Sequence, residues 1–409
     1  MKKLKAQPYK LFNKVQHYDW GTRNNDAYIP KFLDINPEPN LPYAELWIGA
    51  HPKSPSEVEI ENERIPLDSL VANYTKECLG TYVRNKFGDT FPFLLKVLSA
   101  ANALSIQLHP NKNQAEKLHK SDPKNYPDNN HKPEIAIAID SLLAIAGFRP
   151  VNEIVNNLFS LKEISFLTGE EFYNKIISTN DDVERQMLIK ELYAKVMLNA
   201  SDKEKLSSCI KNIHKRLSNK NSLLPEESLF VEQFNLFGVD VGLLSFFFFN
   251  LVKLEPGQAI FTDAGVPHAY IKGNIIECMA NSDNVVRAGL TNKFKDVNTL
   301  LNIMRYDFSK FQIINSLQRQ DDVTYKTSAE EFEVSLFTKG NGFKKLCHSD
   351  DKPSVYLIAE GSLIVKWKFE GSICFTKFSK GESFLIPAFL FEYELSTNEE
   401  VKFYHVSIP

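Results

Sequence analysis

Cysteine is scarce and scattered in this chain. Among 409 residues there are five, Cys78, Cys209, Cys278, Cys347 and Cys374, with no C-x-x-C pair. An odd, dispersed set excludes a disulfide framework and a thiolate zinc cluster, and it fits a reducing compartment. Long apolar runs are missing as well. The most apolar stretch, Leu243 to Phe249, is too short to cross a bilayer. The segment from Met1 to Trp20 carries lysines but no apolar core of a signal peptide. Net charge is only −3, so no basic field draws the chain to nucleic acid or anionic lipid. No G-x-x-x-x-G-K-[ST] loop is present, so a phosphate would be held by Lys, Arg and Ser side chains. What remains is a soluble, cytoplasmic chain with length for two or three packed domains.

Texture divides the chain. From Pro8 to about Phe148, short apolar runs such as Phe93 to Leu98 and Ile135 to Ile139 are broken by Pro, Gly, Asn and Asp. Such runs predict strands, with one short helix near Gln114 to His119. From Val151 to about Phe237 glycine nearly vanishes and apolar spacing turns helical. Met187, Leu188, Leu192, Tyr193, Val196 and Met197 would share one face. Ser201 to Glu204 and Pro225 to Glu227 read as the openings of further helices. Strand texture resumes at Leu243, gives way to a helical stretch near Val297 to Met304, and returns from Asn315 to Pro409. Thr327 to Glu331 reads as a loop.

The richest local pattern is Ser105-Ile106-Gln107-Leu108-His109-Pro110. On a strand, alternate side chains share a face, so Gln107 and His109 would point the same way, with Ser105 beside them. A single histidine on a strand is more often packed or solvated than a ligand, and His17, His119, His214, His348 and His405 are read that way. Further ligands come from a weak internal repeat. Gly257-x5-Asp263-x-Gly265-x2-His268 aligns with Gly381-x5-Pro387-x-Phe389-x2-Glu392. This spacing resembles the second motif of the cupins, small double-sheet β-barrels. The resemblance implies one metal-competent barrel and one that has lost its ligands. It also implies a ligand set of Gln107, His109, Glu134 and His268. Nitrogen and oxygen donors of this kind suit zinc at an open site or Fe(II) for oxygen chemistry. The neutral Gln107 favours a Lewis acid.

Charges sit inside apolar strands nearby: Lys96, Glu277 and Arg287. A buried charge needs a partner, so each could be a structural ion pair. Three of them beside one metal site instead point to a pocket for an anionic, hydroxyl-rich ligand.

Six segments, in order, are similar to the signatures of the type I mannose-6-phosphate isomerases. They are Tyr18 to Gly21, Ala44 to Pro52, Ser105 to Pro110, Asn130 to Glu134, Val266 to Tyr270 and Ser282 to Thr291. The resemblance implies a fold that is mainly β with a helical insertion: two cupin-type jelly-roll barrels plus an α-helical domain. The expected limits are 1–149 and 239–314 for the catalytic barrel, 150–238 for the insertion and 315–409 for a C-terminal barrel without ligands. It implies one zinc ion per chain and conversion of mannose 6-phosphate to fructose 6-phosphate through a cis-enediol. Arg287 takes the place of the catalytic arginine. Glu277 and Lys132 become candidate bases, and His131 a candidate for ring opening. Trp20, Glu45, Lys96, Ser99, Ser105, Asp283 and Lys293 are expected to contact substrate. A monomer acting on a sugar phosphate is expected, without nucleic-acid or membrane partners. The rival readings are a cupin oxygenase holding Fe(II) and a sugar-phosphate binder without chemistry.

Overall fold

The computed structural model describes residues 4–315 and 322–409. Helix and strand each account for 32% of the chain, so the content is mixed rather than mainly strand. All described strand pairings are antiparallel.

The spine of the larger sheet is the 13-residue strand His268–Ala280. Its first part pairs with Leu142–Phe148 and meets Ile106–Leu108 at the His268–Gln107 position. Its second part lies between Phe93–Ala100 and Glu134–Ala138. One strand can serve four partners because it changes course at Gly273, whose φ is 134°. A Cβ there would meet the Ser141 carbonyl oxygen at 2.4 Å, so only glycine fits. The strands are buried on both faces, which is why they read as continuous apolar runs.

Three helices interrupt the first segment, where the sequence predicts mostly strands: Tyr28–Leu33, Leu67–Asn73 and Thr75–Phe87. In the second, only Leu67, Leu70 and Val71 are buried, a helical spacing too brief to stand out. The expected helix near Gln114 spans Lys112–Ser121, with Asn111 and Gln114 forming a reciprocal cap.

The insertion is helical, from Val151–Phe159 through Pro225–Phe237. Asp202 caps the helix Lys203–Ser218 by accepting from the Lys205 amide. On Asp182–Asn199 the expected apolar face is buried except for Met187, which is 69% exposed. The insertion runs further than its composition shows. Val241–Leu244 and Ser245–Phe248 are helical turns, and the strand begins at Phe249. Four consecutive phenylalanines carry no period, so burial decides their conformation.

The C-terminal region holds a six-stranded and a four-stranded sheet. The N-terminal strand Tyr9–Leu11 joins the six-stranded sheet by pairing with Ser383–Ile386. Residues Tyr9–Leu11 therefore pack with the last part of the chain. The internal repeat is visible in the backbone. Gly257 and Gly381 both have φ of 81°, each just before a strand, and His268 and Glu392 each open the strand after it. Among the described residues no helix is long and apolar enough to cross a membrane.

Candidate metal centre and active-site cleft

Three strands bring the expected ligands together. His109 follows Ile106–Leu108, Glu134 opens Glu134–Ala138 and His268 opens His268–Ala280. All three side chains are buried, and their ligand atoms lie within 4.8 Å of one another. His109 Nε2 is 3.4 Å from Glu134 Oε1, and His268 Nε2 is 3.2 Å from Glu134 Oε2. The strand register sets Gln107 beside them, opposite His268 on one side and Arg287 on the other.

Each imidazole is fixed from behind. His109 Nδ1 lies 2.7 Å from the Asn284 carbonyl oxygen, and His268 Nδ1 lies 2.9 Å from that of Val266. A carbonyl can only accept, so Nδ1 carries the proton in both rings and each Nε2 presents its lone pair to the centre. His109 Nε2 is buried without a hydrogen bond among the described residues. Two inward lone pairs facing a buried carboxylate are complementary to a cation, so the residues fit a divalent ion. Burial lowers the His109 pKa, with Glu134 opposing it. Burial alone would raise Glu134, but Lys132 at 2.8 Å and the imidazoles hold it well below the usual carboxylate range.

Behind His109 stands a support that sequence reasoning missed. Asp128 accepts from Ser282 Oγ at 2.8 Å and from the Asp283 amide at 2.7 Å. Asn284 Nδ2 donates to the Asp128 carbonyl oxygen at 2.7 Å and to Asn130's at 2.9 Å. That lattice holds the carbonyl on which His109 rests. Its signal, an isolated aspartate in a Pro-Asp-Asn loop, looks like turn chemistry.

Of the four candidate ligands, Gln107 and Glu134 line a cleft of about 550 Å³. Of the expected site residues, Trp20, Glu45, Lys96, Ser105, Gln107, Lys132, Glu134, Glu277, Asp283, Arg287 and Lys293 line it. One row across the sheet, Trp47–Lys96–Glu277–Ala136, shares a face toward it. Lys96 Nζ lies 2.8 Å from Glu277 and 3.8 Å from Glu45. Burial disfavours a charged lysine, but these carboxylates outweigh it and raise the Lys96 pKa. Burial raises Glu45 against the pull of Lys96, while Trp47 Nε1 donates to it at 2.5 Å. Asp283 resists burial through His51 and Lys53, the latter at 2.8 Å, and its pKa falls.

Four expected residues stand outside the cleft lining: the buried His109 and His268, and also Ser99 and His131. The Ser99 hydroxyl is buried between Thr22 at 2.7 Å and Asn274 at 2.6 Å. His131 points to Glu331, 2.5 Å away, and ties the ligand loop to the C-terminal region. The stretch Thr327 to Glu331, expected to be a loop, supplies that partner.

Other cleft residues were not foreseen. Tyr270 follows His268 by two on the same strand and lines the cleft with its hydroxyl buried. The alternating pattern could have found it. Leu236 and Phe237, at the end of the last insertion helix, form an opposing wall. Nothing local in the sequence marks them, because they arrive through tertiary packing.

Residues 9–151 match the model of the phosphomannose isomerase type I catalytic domain. A curated relative from Arabidopsis thaliana, named mannose-6-phosphate isomerase 2, is 35% identical over 96% of this chain and 92% of its own length. The mannose-6-phosphate isomerase of Aspergillus fumigatus is 39% identical over 85% of each chain. Among solved structures, a mutant phosphomannose isomerase from Salmonella typhimurium superposes with a TM-score of 0.85 at 28% identity, covering 98% of this chain and all of that one. A mannose 6-phosphate isomerase described as bound with zinc and yttrium gives 0.83 at 27% identity, with the same coverage.

Proposed function

The chain belongs to the type I mannose-6-phosphate isomerases, and from that premise we propose how its cleft performs the family's reaction. It interconverts mannose 6-phosphate and fructose 6-phosphate, moving a proton between C2 and C1 through a cis-enediol. The observation that carries the assignment is the buried His109–Glu134–His268 cluster opening onto a cleft lined by Lys96, Lys132, Glu277 and Arg287. The rival readings gain no support, since relatives matched over most of the chain are named as isomerases.

We read the ion as a single zinc, held by His109, Glu134, His268 and Gln107. Nitrogen and oxygen donors suit it, and the open cleft leaves room for substrate. When bound, it supplies Lewis-acid stabilisation of negative charge on a sugar oxygen. Arg287 adds fixed positive charge at the same place, where the low-dielectric cleft makes it count. Glu277 and Lys132 are the groups able to carry the proton. Lys96 neutralises Glu277 when the base is ionised and balances Glu45 beside it. Ser105 and Lys293 line the same cleft and supply a hydroxyl and a cation for the phosphate. Trp20, stacked on Tyr18 at 5.8 Å, forms a wall for the sugar. Two cupin-type barrels, the first interrupted by residues 150–238 and the second from 315, are the architecture this reading assigns, in a cytoplasmic monomer.

The direct test is isomerisation in D₂O followed by NMR. Mannose 6-phosphate should yield fructose 6-phosphate, with solvent deuterium entering C1 of the product. Oxygen uptake, or binding without conversion, contradicts the reading.

A further inference from the structure

Arg287 is aimed without help from a side-chain partner. Its Nε is buried with no hydrogen bond, and no ion pair to its guanidinium is found among the described residues. Its direction therefore depends on its backbone. That backbone is irregular: the strand Val286–Gly289 shifts register against Ile106–Leu108 between Arg287 and Gly289. The next residue, Leu290, is 2% exposed and has a φ of 53°. A bulky side chain is an outlier in this left-handed region, so something must hold it there.

The holder is Asp240, at the point where the chain returns from the helical insertion. Its Oδ1 accepts from the Leu290 amide at 2.7 Å and from the Gly242 amide at 2.7 Å. Its other oxygen faces Lys295 at 3.6 Å. The two backbones are pressed together at this carboxylate. A Cβ on Gly289 would meet Gly242 Cα at 2.3 Å, and one on Gly242 would meet the Leu290 nitrogen at 2.7 Å. Leu290 and Thr291 then continue along the cleft wall beside Arg287.

We propose that Asp240 is the positioning residue for Arg287: one carboxylate oxygen bridges the insertion's return turn to the end of the arginine strand and so fixes where the guanidinium stands. This rests on the role given to Arg287 above. A cap of the Val241–Leu244 turn would need only the Gly242 bond. The second bond, to a strained residue three positions from Arg287, is what a positioning role adds.

The test is a double-mutant cycle on the metal-loaded full chain, reading kcat and KM for mannose 6-phosphate with metal content and melting temperature. Asp240→Ala, which removes the bridging oxygen, should lower kcat about 10- to 100-fold, since small misplacements of a catalytic group are costly, with KM changed less than about twofold and metal retained. In an Arg287→Lys background the same change should cost less than about twofold further, because the group it aims is already altered. An equal fold loss in both backgrounds, or a kcat within about twofold of wild type, overturns the positioning role. Should Asp240→Ala not fold, Gly242→Ala carries the test. It crowds Leu290 while keeping the carboxylate, and it should show the same dependence on residue 287. If Arg287→Lys alone leaves kcat unchanged, the role of Arg287 itself fails. If that variant is impaired while Asp240→Ala is silent or multiplicative, only the positioning role fails.

Discussion

Replacing Lys96 with methionine should be costly, and the cost should depend on pH. Lys96 is 7% exposed at its side chain, and its ammonium lies between Glu277 at 2.8 Å and Glu45 at 3.8 Å. Methionine keeps the stem's volume and deletes the charge. Removing one partner of a buried ion pair costs about 3–5 kcal/mol, because the remaining charge is left without compensation. Part of that cost can be escaped by taking up a proton. Glu45 already sits above the ordinary carboxyl range through burial, with Lys96 pulling it down, so losing Lys96 raises it further. An acid whose folded-state pKa exceeds its unfolded value does not destabilise below the unfolded pKa. It destabilises increasingly as pH rises through the folded one. The deficit of Lys96→Met should therefore be larger at pH 8 than at pH 5.5. Urea unfolding of wild type and variant at the two pH values measures it. Adding Glu277→Gln to Lys96→Met should recover part of the loss. A variant as stable as wild type at pH 8, or a deficit that grows on acidification, would refute the argument that Lys96 balances buried negative charge.

Other consequences are local. Arg287→Ala should lower kcat by about 10²–10³ while metal content stays at wild-type level, read by steady-state kinetics beside elemental analysis. Asp128→Ala frees the Asn284 carbonyl that accepts from His109, so metal affinity should drop about 10- to 100-fold in chelator competition, although Asp128 is no ligand. His131→Gln should leave kcat within about twofold of wild type, because His131 faces Glu331 rather than the cleft. Burial alone would raise the Glu331 carboxyl, yet His131 holds it down. The pair's stabilisation should therefore be present above the unfolded carboxyl pKa and vanish as pH falls through the depressed one, a difference visible in paired melting curves.

Much of the site was legible because its chemistry is written in alternation. Gln107-x-His109 declares a shared face, and Glu134 and His268 each open a strand, where a ligand can reach the centre without breaking the pattern behind it. Lys96 and Glu277 announced themselves as charges in apolar runs and proved to be each other's partners across a strand pair. What stayed hidden depends on long-range register. Ser99 sits between two apparent site residues in sequence, but its hydroxyl is spent on Thr22 and Asn274. His131 neighbours Lys132, yet it points to Glu331, 200 residues away. The wall formed by Leu236 and Phe237 and the Asp240 bridge need the insertion docked before they exist. The helix Thr75–Phe87 was missed because Gly80, with φ of 72°, breaks its pattern midway. The Leu243–Phe248 turns were missed because an all-apolar run has no period to read.

In the proposed mechanism one ion held by His109, Glu134, His268 and Gln107 serves sugar-phosphate isomerisation. Zinc titration of chelator-stripped protein, followed by a coupled assay with mannose 6-phosphate, examines this role in wild type and His268→Ala. Wild-type activity should rise linearly and saturate at about one ion per chain, and His268→Ala should neither retain the ion nor regain activity at stoichiometric zinc. Full activity in the stripped wild type, or stoichiometric zinc in His268→Ala, would contradict it.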